Sequence, residues 1–172
     1  MAEPGQDWTI AALMFLYLCA SFFLELIRLK EDKYYMKIAY KEAEKAYKEN
    51  EIPIGAVIVC DGKVLSRAHN KRDSSNIVTR HAEIIAIEKA NKKKKNWRLN
   101  DCILYTTLEP CNMCKEVIKS SKISKIVYAA VSTNNNNDLT EDKFIQIKDK
   151  GIIEKSTTII QNAFKQIREK DK

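Results

Sequence analysis

The sequence predicts an α/β fold in which a sheet is covered by helices. Three observations carry this. Helical and strand patterns alternate along most of the chain, the first two strands are joined by a two-residue Asp61-Gly62 turn, and 172 residues suit one domain with a real core. Apolar residues make up 45% and charged residues 31%, which excludes a disordered polyelectrolyte. With only four glycines and three prolines, long flexible linkers are not expected. No internal repeat is visible.

The elements follow in order. Residues 34–50 form a helix, because Tyr35, Ile38, Ala39, Ala43 and Ala46 recur at three-to-four spacing between charges. Pro53 closes that region, and IGAVIVC at 54–60 reads as a strand. Asp61-Gly62 is a strong hairpin signal, so KVLSRA at 63–68 should return antiparallel. A polar loop with Asn70, Asp73, Ser74, Ser75 and Asn76 leads to a helix from about Arg80 to Asn91, whose apolar face is Ala82, Ile85, Ala86 and Ala90. CILYTTL at 102–108 is a third strand. Pro110 is placed as a first-turn proline opening a helix over 111–121. KIVYAAV at 125–131 is a fourth strand. The stretch 138–149 reads as helical, Ile152-Ile153 as a short fifth strand, and Ser156 to Glu169 as a closing helix, with Asn134–Asn137 a polar loop.

The first thirty residues differ from the rest, so the chain divides into an apolar extension, 1–30, and a domain, 31–172. Trp8 to Leu24 carries no charge, and its length as a helix is roughly 25 Å against a hydrocarbon core of about 30 Å. Adding Leu26 and Ile27, with Glu25 snorkelling, makes residues 8–27 a membrane-span candidate. A helix packed on a domain is the alternative. Acidic residues precede it (Glu3, Asp7) and basic ones follow (Arg28, Lys30, Lys33), so a spanning helix would leave the remaining chain in the cytoplasm.

A net charge of +7 favours an anionic partner, either nucleic acid or a membrane surface. Lys92–Lys95, and Lys165, Arg168, Lys170 and Lys172 near the C-terminus, are the clusters that could meet phosphates. A lysine-rich solvated surface explains the same charge. Five cysteines in no scaffold spacing suggest a reducing compartment, with Cys60 and Cys102 in apolar strands as core residues.

His81-Ala82-Glu83 opens one expected helix, and Pro110-Cys111-Asn112-Met113-Cys114 opens another. One histidine and two cysteines suit zinc and leave a fourth tetrahedral position open, as in a catalytic rather than a structural site. Both groups sit at helix N-termini, where thiolates are favoured. Glu83, two residues past His81, can hang over the open position and exchange protons with water there. H-x-E…P-C-x-x-C is the known signature of zinc-dependent nucleobase deaminases.

On these residues the sequence resembles the cytidine/deoxycytidylate deaminase superfamily, and within it the tRNA-specific adenosine deaminases. The resemblance runs from about Tyr34 to Tyr128 and includes IPIGAVIV, the Asn of AHN, TRHAEIIAIEKA, NWRL and LYTTLEPCNMC. It implies a three-layer α/β/α cytidine deaminase-like fold with a mixed five-stranded sheet, usually in a homodimer. It implies conversion of adenosine to inosine at the wobble position of a tRNA anticodon stem-loop. Residue by residue, it places Zn2+ on His81, Cys111 and Cys114, the proton shuttle on Glu83, and substrate contacts on Asn70, Pro53, Ile54 and Ala82. The chain departs from this pattern after the fourth strand. Ser132 stands where an Asp is usual, and no glycine appears between Gly62 and Gly151. Two further readings therefore stand beside the first: a deaminase of a free base or nucleoside such as guanine or cytosine, and a non-catalytic RNA-binding subunit. The presence of Glu83 argues against the last.

Overall fold

The structure, a computed structural model, describes residues 7–132 and 143–170. Its contacts divide the chain into two units, Met1–Glu31 and Asp32–Lys172. Helix α1 runs over Asp7–Lys48. It is longer than the helix expected from Tyr34, because no glycine or proline interrupts the chain between Gly5 and Pro53. In the first unit every large apolar side chain from Ile10 to Leu24 is more than half exposed. The helix is apolar on all sides there, with a window of mean hydropathy 2.3.

In the second unit, β1 (Gly55–Cys60) and β2 (Lys63–His69) form the expected hairpin, with Asp61 and Gly62 both at positive φ (50° and 68°) as a tight two-residue turn demands. A short helix α2 (Arg72–Ser75), unforeseen from the sequence, precedes α3 (Ala82–Lys94). Then come β3 (Cys102–Leu108), α4 (Asn112–Ser120), β4 (Lys125–Ala130), β5 (Phe144–Gln146) and α5 (Lys150–Lys170). The sheet order is β2-β1-β3-β4-β5, with β1 antiparallel to both neighbours and β3, β4 and β5 parallel. It is the mixed five-stranded sheet that the resemblance implies.

Strand period sorts the core into two layers. Ala56, Ile58, Leu104 and Ile126 face one side with Ala86, Ala90 and Ile118 of α3 and α4. Val57, Val59, Tyr105 and Val127 face the other with Tyr35, Met36 and Ala39 of α1 and Ile152 of α5. A buried trio ties the start of this unit to the sheet. Tyr105 Oη donates to Asp32 Oδ1 at 2.7 Å, and Lys125 Nζ lies 2.9 Å from Asp32 Oδ2. Gly55 permits the closest approach, since an added Cβ would overlap the Ala39 carbonyl oxygen and sit 2.5 Å from Ala43 N.

Four expectations are corrected. The fifth strand is Phe144–Gln146, not Ile152-Ile153, and it lies within the stretch read as helical. Backbone pairing with β4 outweighs local propensity there, and the remainder of that stretch up to residue 142, with Asn134–Asn137, lies outside the described residues. Ile152 and Ile153 belong instead to α5, where Asp149 Oδ1 accepts the Ile152 N–H at 3.0 Å and caps the first turn. Pro110 precedes the N-cap, Cys111, rather than occupying the first turn. Cys60 and Cys102 are opposed in the β1–β3 register, with Cα atoms 4.3 Å apart, and form a disulfide instead of standing as free core thiols.

Candidate active site

Two strand-to-helix junctions build the metal half. His81 is the N-cap of α3 and Cys111 the N-cap of α4, both with extended backbone (ψ 151° and 167°), so each side chain leaves its helix at the N-terminal mouth. Cys114 lies one turn into α4 and is fully buried. His81 Nδ1 is 3.7 Å from Cys111 Sγ and 3.5 Å from Cys114 Sγ. Zn–N near 2.0–2.1 Å and Zn–S near 2.3 Å require a tetrahedral N···S edge of about 3.6 Å, so both N···S distances suit zinc, and all three atoms lie within 4.8 Å of one another. Cys60, Asp101 and Cys102 also bring ligand-type atoms together, but two bonded sulfurs have no thiolate to give.

The electrostatics suit the same ion. Hydrogen bonds from Cys114 and His81 hold the Cys111 thiol down at about 4, so a thiolate is present at neutral pH. Cys114 is pushed far up by sharing its proton with Cys111, by burial and by Glu83; a metal cation reverses that balance. The His81 ring is raised chiefly by its bond with Cys111. Glu83 is buried, and burial pushes its carboxyl up to about 7. Glu83 Oε2 has no hydrogen-bond partner, an unusual state for a buried carboxylate oxygen and one that a bound ligand would relieve.

Of the other residues expected from the resemblance, Ala82 directly follows His81 and is buried in the core. Ile54, like Cys111, packs against the core cluster that contains Ala82 and Cys114. Asn70, directly after β2, donates its backbone N–H to Ile54 O at 3.0 Å. Lys71 N–H donates to Arg80 O at 2.9 Å, pinching the loop so that Asn70 and His81 flank its neck. Pro53 is buried beside Ile54, with no recorded contact to the metal ligands. His69 takes no part, since its ring bridges Glu42 and Glu49 at 3.2 and 3.1 Å.

Two carboxylates escaped the sequence reading. Glu51 Oε2 accepts from Asn70 Nδ2 at 2.9 Å, and its carboxylate also accepts the N–H groups of Asp73 (3.3 Å) and Ser74 (2.7 Å). Glu109 is buried against Lys115 (3.3 Å) and accepts the Ser132 N–H at 3.2 Å, tying the approach to the cysteines to the exit from β4. Their partners are distant in sequence or one-off spacings, so no local pattern announces them.

Three ligand atoms gathered at two helix mouths, with a buried carboxylic acid two residues past the histidine, suit a hydrolytic zinc centre of the nucleobase-deaminase kind. The model of the cytidine and deoxycytidylate deaminase zinc-binding region matches residues 29–130, and the chain belongs to that family. The chain is 39% identical over 153 residues to a tRNA-specific adenosine deaminase of Streptococcus pyogenes serotype M18, covering 84% of this chain and 96% of the relative. Among solved structures it is similar to a tRNA:A34 deaminase (31% identity, TM-score 0.66, 74% of this chain and 99% of the other). It is also similar to a guanine deaminase of Bacillus subtilis (40% identity, TM-score 0.55, 58% and 64% coverage). The protein is thus a zinc-dependent hydrolytic deaminase.

Proposed function

We propose that the protein deaminates adenosine to inosine in a tRNA anticodon loop, consuming water and releasing ammonia. The observation that carries this is the match to tRNA-specific adenosine deaminases across nearly their whole length, whereas the guanine deaminase is matched over 64% of its chain. His81, Cys111 and Cys114 are the metal ligands in this reading. Zinc, when bound, supplies Lewis-acid activation of water at neutral pH. Glu83 is the proton carrier. With its carboxyl near 7 it takes one proton of the attacking water at Oε2 and gives it to the ring nitrogen, then takes that water's second proton and gives it to the departing amine, which leaves as ammonia. Ile54 and Pro53 form the wall against the base, Ala82 supplies backbone contacts, and Asn70 holds the nucleoside. A loop nucleotide reaches such a site without the cost of opening a duplex.

The second reading, deamination of free guanine or cytosine, is favoured by the altered stretch at Ser132 and by the guanine deaminase likeness. Incubating the purified chain with anticodon stem-loops, guanine, cytosine and cytidine separates the two. Inosine in the RNA is expected. Turnover of a free base with no inosine in any stem-loop would replace the first reading by the second.

Residues 31–172 are the deaminase domain in this proposal, and the exposed apolar helix is a membrane anchor that leaves the domain in the cytoplasm. Support comes from its uncharged length, its exposure on all sides and the basic residues that follow. Full-length protein should sediment with membranes and a chain starting at Glu31 should not; equal solubility of the two rules out the anchor. A homodimer, implied by the resemblance, is expected in light scattering of the truncated chain.

A further inference from the structure

The amide of Asn70 is buried, 1% exposed, and half satisfied: Nδ2 donates to Glu51, while Oδ1 has no partner. Its orientation is dictated by chemistry, because an ionised carboxylate only accepts, so the NH2 must face Glu51 and the carbonyl oxygen must face away. Glu51 is itself held firmly. Its backbone N–H donates to Ala46 O at 2.9 Å, and its carboxylate accepts from Asp73 and Ser74 at the mouth of α2. Together these contacts outweigh burial and keep the carboxyl below its usual range. A buried, unpaired amide oxygen beside the neck that carries His81 is therefore a preset acceptor awaiting a donor from the ligand.

Which donor follows from the substrate class, and here the inference rests on the tRNA reading above. An adenosine within an RNA strand offers two donors, its exocyclic amine and its 2′-hydroxyl, since no ring nitrogen carries a proton, the 3′ and 5′ oxygens are esterified and the ring oxygen is an ether. The amine is the group displaced at the metal. We propose that Glu51 is a positioning residue that locks Asn70 with Oδ1 turned to the substrate as acceptor for the 2′-hydroxyl of the reacting nucleotide. Glu51 thereby gives the site its preference for ribose over deoxyribose.

The test uses the full chain with zinc bound and two stem-loops that differ only in adenosine or 2′-deoxyadenosine at the reacting position. Wild type should favour the ribonucleotide by about tenfold in kcat/KM, mainly through KM, the size of one net hydrogen bond. In Glu51→Gln only one of the two carboxylate positions still accepts; keeping the short Ser74 N–H bond at the Oε1 position turns the new NH2 to Asn70, which must then flip its own oxygen toward it, and the preference should fall to about unity. Asn70→Ala should remove it equally, and the double variant should lose no more than Asn70→Ala alone, because Glu51 acts through Asn70. A preserved preference in Glu51→Gln, or additive losses in the double variant, overturns the inference. Should Glu51→Gln not fold, the Asn70 side-chain amide of wild type supplies the readout. Its NH2 protons should exchange slowly with solvent, and fast exchange overturns the lock. Wild type active on both stem-loops alike sinks this inference alone; wild type active on neither sinks the functional reading as well.

Discussion

The metal-ligand half of the site stands on two helix N-termini, whereas the half proposed to meet substrate stands on loops joined by side chains from distant segments. His81 and the Cys111–Cys114 pair are delivered by strand-to-helix junctions whose geometry is local. Asn70 is held by Glu51, 19 residues earlier, and the exit from β4 at Ser132 is held by Glu109, 23 residues earlier. The difference teaches where change is tolerated. Loss of a ligand destroys the chemistry, while the loop half can drift in sequence and alter what is bound.

The comparison can be broken from the metal side first. Cys114→Ala should lose zinc and all measurable deamination together, with metal content read by atomic absorption; retained stoichiometric zinc would mean that the three-ligand centre is wrong. Glu83→Gln comes next, with kcat reduced by about 10²–10⁴ while zinc stays bound, because only proton transfer is removed. Near-wild-type turnover in that variant would strike Glu83 from its role.

Away from the metal ligands the effects should be smaller and should appear as stability or KM. Gly55→Ala forces a Cβ into the α1 backbone at Ala39 and Ala43, and should cost about 1–3 kcal/mol or more in denaturant unfolding with no loss of bound zinc. An unchanged midpoint would show that α1 has room to shift. The smallest effect concerns acid. The Glu51 carboxyl is lowered in the folded state, so the stability it contributes is fully present above its unfolded value near ~4.3 and is lost as pH falls through the folded value below that. Unfolding midpoints measured from pH 6 down to pH 3 should therefore fall less steeply for Glu51→Gln than for wild type. Parallel curves would remove Glu51 from that account.

The sequence by itself determined the parts whose physics is local. The Asp61-Gly62 turn, the strands at 102–108 and 125–130, and the helices opening after His81 and Cys111 all follow from period, turn chemistry and caps within a few residues. The chemistry of the metal centre was legible for the same reason, since ligand type and spacing carry it. Only the tertiary structure decided the rest. β5 exists because β4 offers an edge to Phe144–Gln146, and the isoleucines at 152 and 153 lost that place to a helix capped by Asp149. Cys60 meets Cys102 because the β1–β3 register opposes them. Glu51 met Asn70 and Glu109 met Ser132 only when folding brought together residues 19 and 23 positions apart. A buried carboxylate must find donors wherever the fold supplies them, and that choice is made in three dimensions.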